Sequence, residues 1–479
     1  MKVAAAVAVL VVAAAMLIWN ARHPRPIVWD EANYEAQTIR DAELARSGGM
    51  VRLLKAFVFE DVERPPAYRV FAFPFTAMGV SLQGLRVLSI VFFVITCALL
   101  WSVAPRGVLL FALSPGVIAA FEWFGTDYPL LLACAMLLVA MCRPRLDFSL
   151  TALGVALGLL SKTSFLIFAA SLLGARVLVE PWVVKRRVLI ASAIGAVVAA
   201  PWWWWNAAPA LKFANWSRVF PRLAVGQNAL LVNLEHLLFG AIGLPAAFAI
   251  VILLWRRRRC PAAIPALAAA IALPLLALFS PWLHERHMAP ATAALAFAVG
   301  CLAAEGRRLI AALALLGVQL LLILAGLAAD PSRWPMPMAM IAASVMRKDN
   351  ADWSFLRPYE RVSFFGLAPS LSPPELSIPR VRAHEPAHVE WLWRMEDGPI
   401  DWARIEEKVR ASDAVLVPDP ATVHDAPLQG LSAHDRAIHN EHDARFVALV
   451  RSTGLFDESE RRIENVNPYT LHVFIRRRG

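Results

Sequence analysis

Carboxylates and cations stand out in this chain because most of what surrounds them is apolar. Asp30 and Glu31 form an acidic pair. They are followed by Glu63-Arg64-Pro65-Pro66-Ala67-Tyr68, Gly125-Thr126-Asp127, Ser161-Lys162-Thr163 and His284-Glu285-Arg286-His287. Asp127 opens a long apolar run, and a carboxylate at the end of a bundle helix is expensive unless it is paired, hydrated or functional. Two prolines after Arg64 stiffen the backbone and hold the preceding residues extended, so that a guanidinium there can be aimed. Its planar fork of donors suits a phosphate. Lys162 adds a point charge, and Arg286 is a third cation. Together these residues could bind a phosphate-bearing group beside one or two carboxylates able to move a proton. The ordinary alternative for Asp30 and Glu31 is a pair of solvated loop acids.

The elements that must position these residues are apolar helices. Of the 479 residues 58% are hydrophobic and 18% charged, and the mean hydropathy is +0.55. This composition excludes an ordinary soluble domain and fits an all-α polytopic membrane protein. About eleven spans of roughly 17–25 residues can be drawn, near 3–19, 87–104, 107–122, 126–142, 149–161, 163–180, 187–207, 229–255, 262–280, 287–304 and 308–329. Every second loop carries Arg or Lys: Arg106, Arg143 with Arg145, Lys185 to Arg187, Arg256 to Arg259, and Arg307 with Arg308. Short basic loops resist translocation, so these face the cytoplasm. The acids and cations named above then all lie on the opposite, extracytoplasmic side of a plasma (inner) membrane. The formal charge of +10 calls for no nucleic-acid partner, because anionic headgroups attract tethered basic loops. An uncleaved first helix is expected, since Asp30 follows it at once; a cleaved leader is the alternative.

Two domains follow: 1–329, membrane-embedded and including a long exported loop at 20–86, and 330–479, a small extracytoplasmic α/β domain. In the loop, an amphipathic helix from Asn33 to about Ser47, a Gly48-Gly49 break and a stretch from Val51 to Phe59 suit a lipid interface. Tyr68 to Val80 reads as a re-entrant helix. A second exported loop near 208–228, with Lys212, Arg218 and Arg222, reads as a lid or as an interfacial loop. In the C-terminal domain, strands are expected at Arg361 to Leu367, Ala414 to Val417 and Thr470 to Arg476, with helices at Ala403 to Arg410 and about 435–452. His434, His439 and His442 match no strong metal template. The five cysteines, Cys97, Cys134, Cys142, Cys260 and Cys301, read as small apolar packing residues. Trp202 to Trp205 read as an interfacial anchor, with a substrate platform as the less favoured role.

The motifs as a set resemble the opening and outer loops of the GT-C glycosyltransferases. The likeness is to the family 39, protein mannosyltransferase-like group and to the transferase that adds aminoarabinose to lipid A. Asp30-Glu31 after the first helix, Glu63-Arg64-Pro65-Pro66 before Tyr68, Gly125-Thr126-Asp127, Ser161-Lys162-Thr163 and Glu285-Arg286-His287-Met288-Ala289-Pro290 carry the likeness. His287 stands where that family usually has tyrosine, and Lys162 lacks the following glycine. The resemblance implies a glycosyltransferase that moves a hexose or pentose from a polyprenyl-phosphate donor to a lipid, protein or glycan acceptor by inverting single displacement. Asp30 would be the base, with Glu31 and Asp127 supporting it. Arg64, Lys162 and Arg286 would hold the phosphate, with Glu63, Tyr68 and His287 lining the substrate site. Carboxylates alone suit a divalent metal only weakly, so a divalent ion stays open and no cofactor is certain. A transporter or lipid flippase is the main alternative, although such proteins place charges near the midplane and show repeats. A non-catalytic assembly factor is a third.

Overall fold

Proline and glycine decide where the apolar runs break into helices. The structure is a computed structural model; it describes residues 2–24, 29–143, 147–219, 234–254, 260–278, 285–303, 308–328, 351–366, 368, 371–393, 399–423, 433–464 and 468–477. Arg145, Arg222, the run Arg256 to Arg259, His284 and Arg307 lie outside the described residues, as do the side chains of Trp29, Arg218, Glu285, His434 and His439. The chain divides into two units. Among the described residues, the first comprises 2–24, 44–219 and 234–328, and the second 29–43 and 351–477.

The first unit is helical. It starts with α1 (Lys2–Arg22) and takes in the second half of α2 (Trp29–Phe59), which Gly49 interrupts at a φ of 70°. There follow α3 (Ala67–Ala77), α4 (Leu82–Trp101), α5 (Pro105–Ala112) and α6 (Pro115–Phe121). The span expected near 107–122 is thus two short helices. Pro115 lacks an N–H and starts a new helix rather than continuing the old one. Next come α7 (Asp127–Ala140), α8 (Asp147–Leu159), α9 (Phe165–Val179) and α10 (Trp182–Val219). A π-helical turn, His236–Ile242, meets α11 (Leu244–Leu254) at a 91° bend through Gly243, whose φ of 87° suits glycine. The unit closes with α12 (Ala263–Leu278), α13 (Ala289–Leu302) and α14 (Arg308–Ala328). Among the described residues three helices are long and apolar enough to cross a membrane, or four if the bent pair counts as one span.

Helix α7 is buried along nearly its whole length. Helices α5 and α13 cross where Gly107 meets Gly300: a Cβ on Gly107 would sit 2.1 Å from the Ala296 carbonyl oxygen. Small residues here allow the close approach that apolar helices need when no hydrophobic drive holds them together. At the far end of α7 from Asp127, basic loop residues fold onto helix C-termini, where cations complement the dipole. Arg106 donates to the Ala303 carbonyl at 2.6 Å and Arg143 to that of Ser102 at 3.3 Å. The thiol of Cys301 also meets those of Cys142 and Cys260, a grouping that their wide sequence separation hides. Cys97 and Cys134 are buried, as packing residues would be. In the tryptophan run Trp202 is buried, whereas Trp204 and Trp205 are exposed.

The second unit contains a five-stranded sheet of β1 (Arg361–Phe364), β2 (His388–Trp391), β3 (Ala414–Pro418), β4 (Phe456–Ile463) and β5 (Tyr469–Arg476), in the order β2-β1-β3-β5-β4. The pairs β1–β2 and β1–β3 are parallel, and β3–β5 and β4–β5 antiparallel. All of β3 is buried, as expected of a strand covered on both faces. One face packs on Leu371 and Leu376, the other on Ile405, Val409, Phe446 and Val450. The helices are α15 (Pro373–Arg382), α16 (Trp402–Ala411), whose Asp401 cap accepts from the Arg404 N–H at 3.1 Å, and α17 (Ala433–Ser452). The expected α/β character is present, and three elements are additional. Strand β4 (FDESERRI) is polar between its two ends, as an edge strand is, and shows no alternation. Helix α15 and strand β2 are short, and α15 carries prolines.

Asp443 on α17 is buried, and its Oδ1 has no hydrogen-bond partner. Burial raises its pKa from 3.8 to about 7. A raised folded-state pKa means that the group's stabilising contribution is complete below pH 3.8 and is lost as pH rises through about 7. The loss is on the order of 4 kcal/mol. Thermal unfolding of the detergent-solubilised protein between pH 5 and 8 should therefore show a falling midpoint. Asp443→Asn should flatten that slope and raise the midpoint at pH 8.

Candidate functional site

The site in the helical unit is built around Asp127. Its backbone starts α7, where the exposed N–H groups favour a negative charge, and its side chain is 2% exposed. Two cations answer it. Lys162, in the corner between α8 and α9, places Nζ 2.6 Å from Oδ1. Arg286, in the 3₁₀ turn Glu285–Met288 that precedes α13, places Nε 3.9 Å from Oδ2. The Arg286 guanidinium lies over the Trp123 ring at 3.8 Å, a cation–π arrangement. Helix α6, just ahead of Trp123, packs against the Arg286 turn. Two positive charges thus face one carboxylate in a largely buried place.

The Arg64 segment is pinned beside this pair by its own backbone. The Ala67 N–H donates to the Leu160 carbonyl at 2.7 Å, two residues from Lys162. The Tyr128 hydroxyl, next to Asp127, donates to the Tyr68 carbonyl at 3.0 Å. Four stretches of the sequence, 63–68, 123–128, 160–163 and 286, therefore converge in one unit. Arg64 is 16% exposed and sits 3.8 Å from Glu63, which is 47% exposed. Asp61, which sequence reasoning missed, organises the turn. It accepts from the Arg64 N–H at 3.2 Å and from the Tyr68 hydroxyl at 3.1 Å. The fully buried Tyr68 ring stacks edge-on to Phe124, so Tyr68 acts as a strut within the fold. An Asp three residues ahead of a stiff Arg-Pro-Pro was the available signal for Asp61. Trp123 and the buried Glu122 were also missed; an acid inside an apolar run was the clue to Glu122. His287 is half-buried in the Arg286 turn.

Asp30 and Glu31 form the first turn of α2 and belong to the second unit. Glu31 is fully buried and Asp30 half-buried. Among the described residues no three His, Cys, Asp or Glu side chains gather as a metal site. Of the C-terminal histidines, His442 packs edge-on against Trp393 and Trp402. From the second exported loop, Lys212 is exposed.

The chain matches no protein-family model and no curated protein. It does share a fold with a solved structure, ArnT from Cupriavidus metallidurans bound to undecaprenyl phosphate. The TM-score is 0.55 at 14% sequence identity, over 97% of each chain. The fold is therefore ArnT-like, of the GT-C type that the motifs resemble.

Breaking the central pair leaves a buried charge, which typically costs about 3–5 kcal/mol. Lys162→Met should lower the unfolding midpoint of the purified protein. Asp127→Asn combined with Lys162→Met should recover part of that loss. Additive losses in the double mutant would show that the two side chains are not coupled.

Proposed function

We propose that the protein is an integral-membrane glycosyltransferase. It takes a sugar from a polyprenyl-phosphate donor and delivers it to an acceptor on the extracytoplasmic face. The observation that carries this reading is the buried Asp127 flanked by Lys162 and Arg286, in a fold shared with an ArnT bound to undecaprenyl phosphate. In the proposed reaction an acceptor hydroxyl attacks the anomeric carbon. The bond from that carbon to the phosphate oxygen breaks, and the acceptor proton passes to Asp30. The configuration at the anomeric carbon inverts. Arg64, Lys162 and Arg286 hold the phosphate and stabilise the charge it gains on leaving. Glu31 and Asp127 support them: Asp127 keeps Lys162 and Arg286 in place before the donor arrives, so little reorganisation is left to the reaction step. Glu63 and His287 line the approach. The eleven-span topology, with the basic loops in the cytoplasm, belongs to the same proposal.

The test begins with envelope lipids, glycans and proteins from a deletion strain, compared by mass spectrometry. One class should lack a hexose- or pentose-sized addition. Asp30→Asn, expressed at the normal level, should fail to restore it, because loss of a general base typically costs roughly 10²–10⁴-fold. Arg286→Ala should raise the KM for the lipid-linked donor and also lower kcat. An intact modification profile in the deletion strain, or full complementation by Asp30→Asn, would end this reading.

A further inference from the structure

We infer that Arg382, in the C-terminal part of the chain, is a positioning residue for the acidic pair at the start of α2. The inference rests on the proposed role of Asp30. Residues 29–43 and 351–477 belong to one unit, and the contact between them is specific. Arg382 Nε donates to Glu35 Oε1 at 2.7 Å and Nη2 to Oε2 at 3.0 Å, a bidentate fork between residues 347 apart in sequence. The Glu35 side chain is 4% exposed and that of Arg382 39%. Beside the fork, Ala32 and Ala36 pack on Ile378 and Val381. Residues 32, 35 and 36 share one face of α2, and 378, 381 and 382 share one face of α15, as the spacing of three and four requires. A second point of attachment lies two turns on, where His384 Nδ1 meets Glu43 Oε1 at 2.6 Å. His384 reaches it from a left-handed backbone conformation, φ 57°, which is uncommon for a residue other than glycine.

The geometry bears on chemistry because Glu31 lies one turn before Glu35 on the same helix face, with Asp30 next to it. A buried carboxylate gripped by both oxygens cannot rotate about its own axis without losing two charge-assisted hydrogen bonds. Alanine at 32 and 36 leaves no long side chain that could be repacked in another register. The fork therefore fixes both the rotation and the height of the α2 first turn. Small displacements of a reacting group lower rates steeply. Arg382 acts through Glu35 and the helix.

The experiment uses the full-length protein in detergent or membranes, with two readouts. One is transfer from the lipid-linked donor. The other is tryptic cleavage after Arg40, an exposed site on α2, which reports docking of the helix whether or not transfer is measurable. Arg382→Ala should speed that cleavage several-fold and lower kcat by about tenfold to a hundredfold, with the donor KM within about twofold. Arg382→Lys, which keeps the charge but not the fork, should fall between, and it carries the comparison if the alanine variant does not fold. The exchange Glu35→Arg with Arg382→Glu should restore both readouts. Unchanged cleavage in Arg382→Ala overturns the inference. So does faster cleavage with kcat unchanged, which would make the contact purely structural, or a fall in kcat with cleavage unchanged. If the wild type transfers no sugar, the proposed function fails, while the cleavage series still decides whether Arg382 docks the helix.

Discussion

A carboxylate that cannot stay buried alone governs the arrangement of the helical unit. Asp127 sits at the start of a helix whose remaining residues are apolar and packed on all sides. Left unpaired, it would have to bind a proton or admit water. Lys162 and Arg286 answer it instead, and each comes from a corner between other helices. At an effective dielectric constant of about 20, a charge pair 4 Å apart interacts by roughly 4 kcal/mol. That is enough for the position of α7 to constrain the α8–α9 corner and the turn before α13 together.

The two cations are held in different ways. Lys162 presents a compact charge directly to Asp127. Arg286 places its guanidinium carbon 3.8 Å from the centre of the Trp123 ring, a cation–π contact. The Arg64 segment is held differently. Pro65 and Pro66 remove backbone freedom and donors, Asp61 takes up the Arg64 N–H, and the Ala67 N–H is spent on Leu160. Rigidity there comes from the backbone.

The sequence revealed most where polarity is costly. In an apolar chain every charge asks for a reason, which is why Asp127, Lys162, Arg286 and the Arg64 segment could be singled out one by one. The helical class and the strand Ala414 to Val417 were legible for the complementary reason, that full burial demands unbroken apolar runs, while Thr470 to Arg476 was legible from its β-branched and aromatic residues in partial alternation. What stayed hidden depends on partners far away in the chain. Glu35 and Arg382 look like ordinary surface charges until the fold makes one of them buried. Cys142, Cys260 and Cys301 have no motif spacing, because they come from three distant places in the chain: just past the end of α7, just before α12, and near the end of α13. Trp123 reads as one more aromatic in an apolar run. Strand β4 was missed because an edge strand needs no apolar face, so its polar run resembles a loop. The helix breaks at Ser114-Pro115 and Gly243 show a different limit: hydropathy averages over a window, and a single residue that cannot continue a helix disappears into that average.

The direction of the helices separates two kinds of chemistry within the helical unit. Helix α7 carries Asp127 at its first residue, and Cys142 and Arg143 just past its last. Helix α13 carries Arg286 and His287 just before its start, and Cys301 near its end. With opposite ends of the same two helices committed to acid–cation pairing and to thiols with basic loops, neither cluster can move far without the other. A helix that slid along its axis to improve the Asp127–Lys162 contact would pull Arg143 from the Ser102 carbonyl. Tight crossings such as Gly107 on Gly300 oppose the same slide sterically. The geometry around Asp127 is therefore held from both ends of these helices.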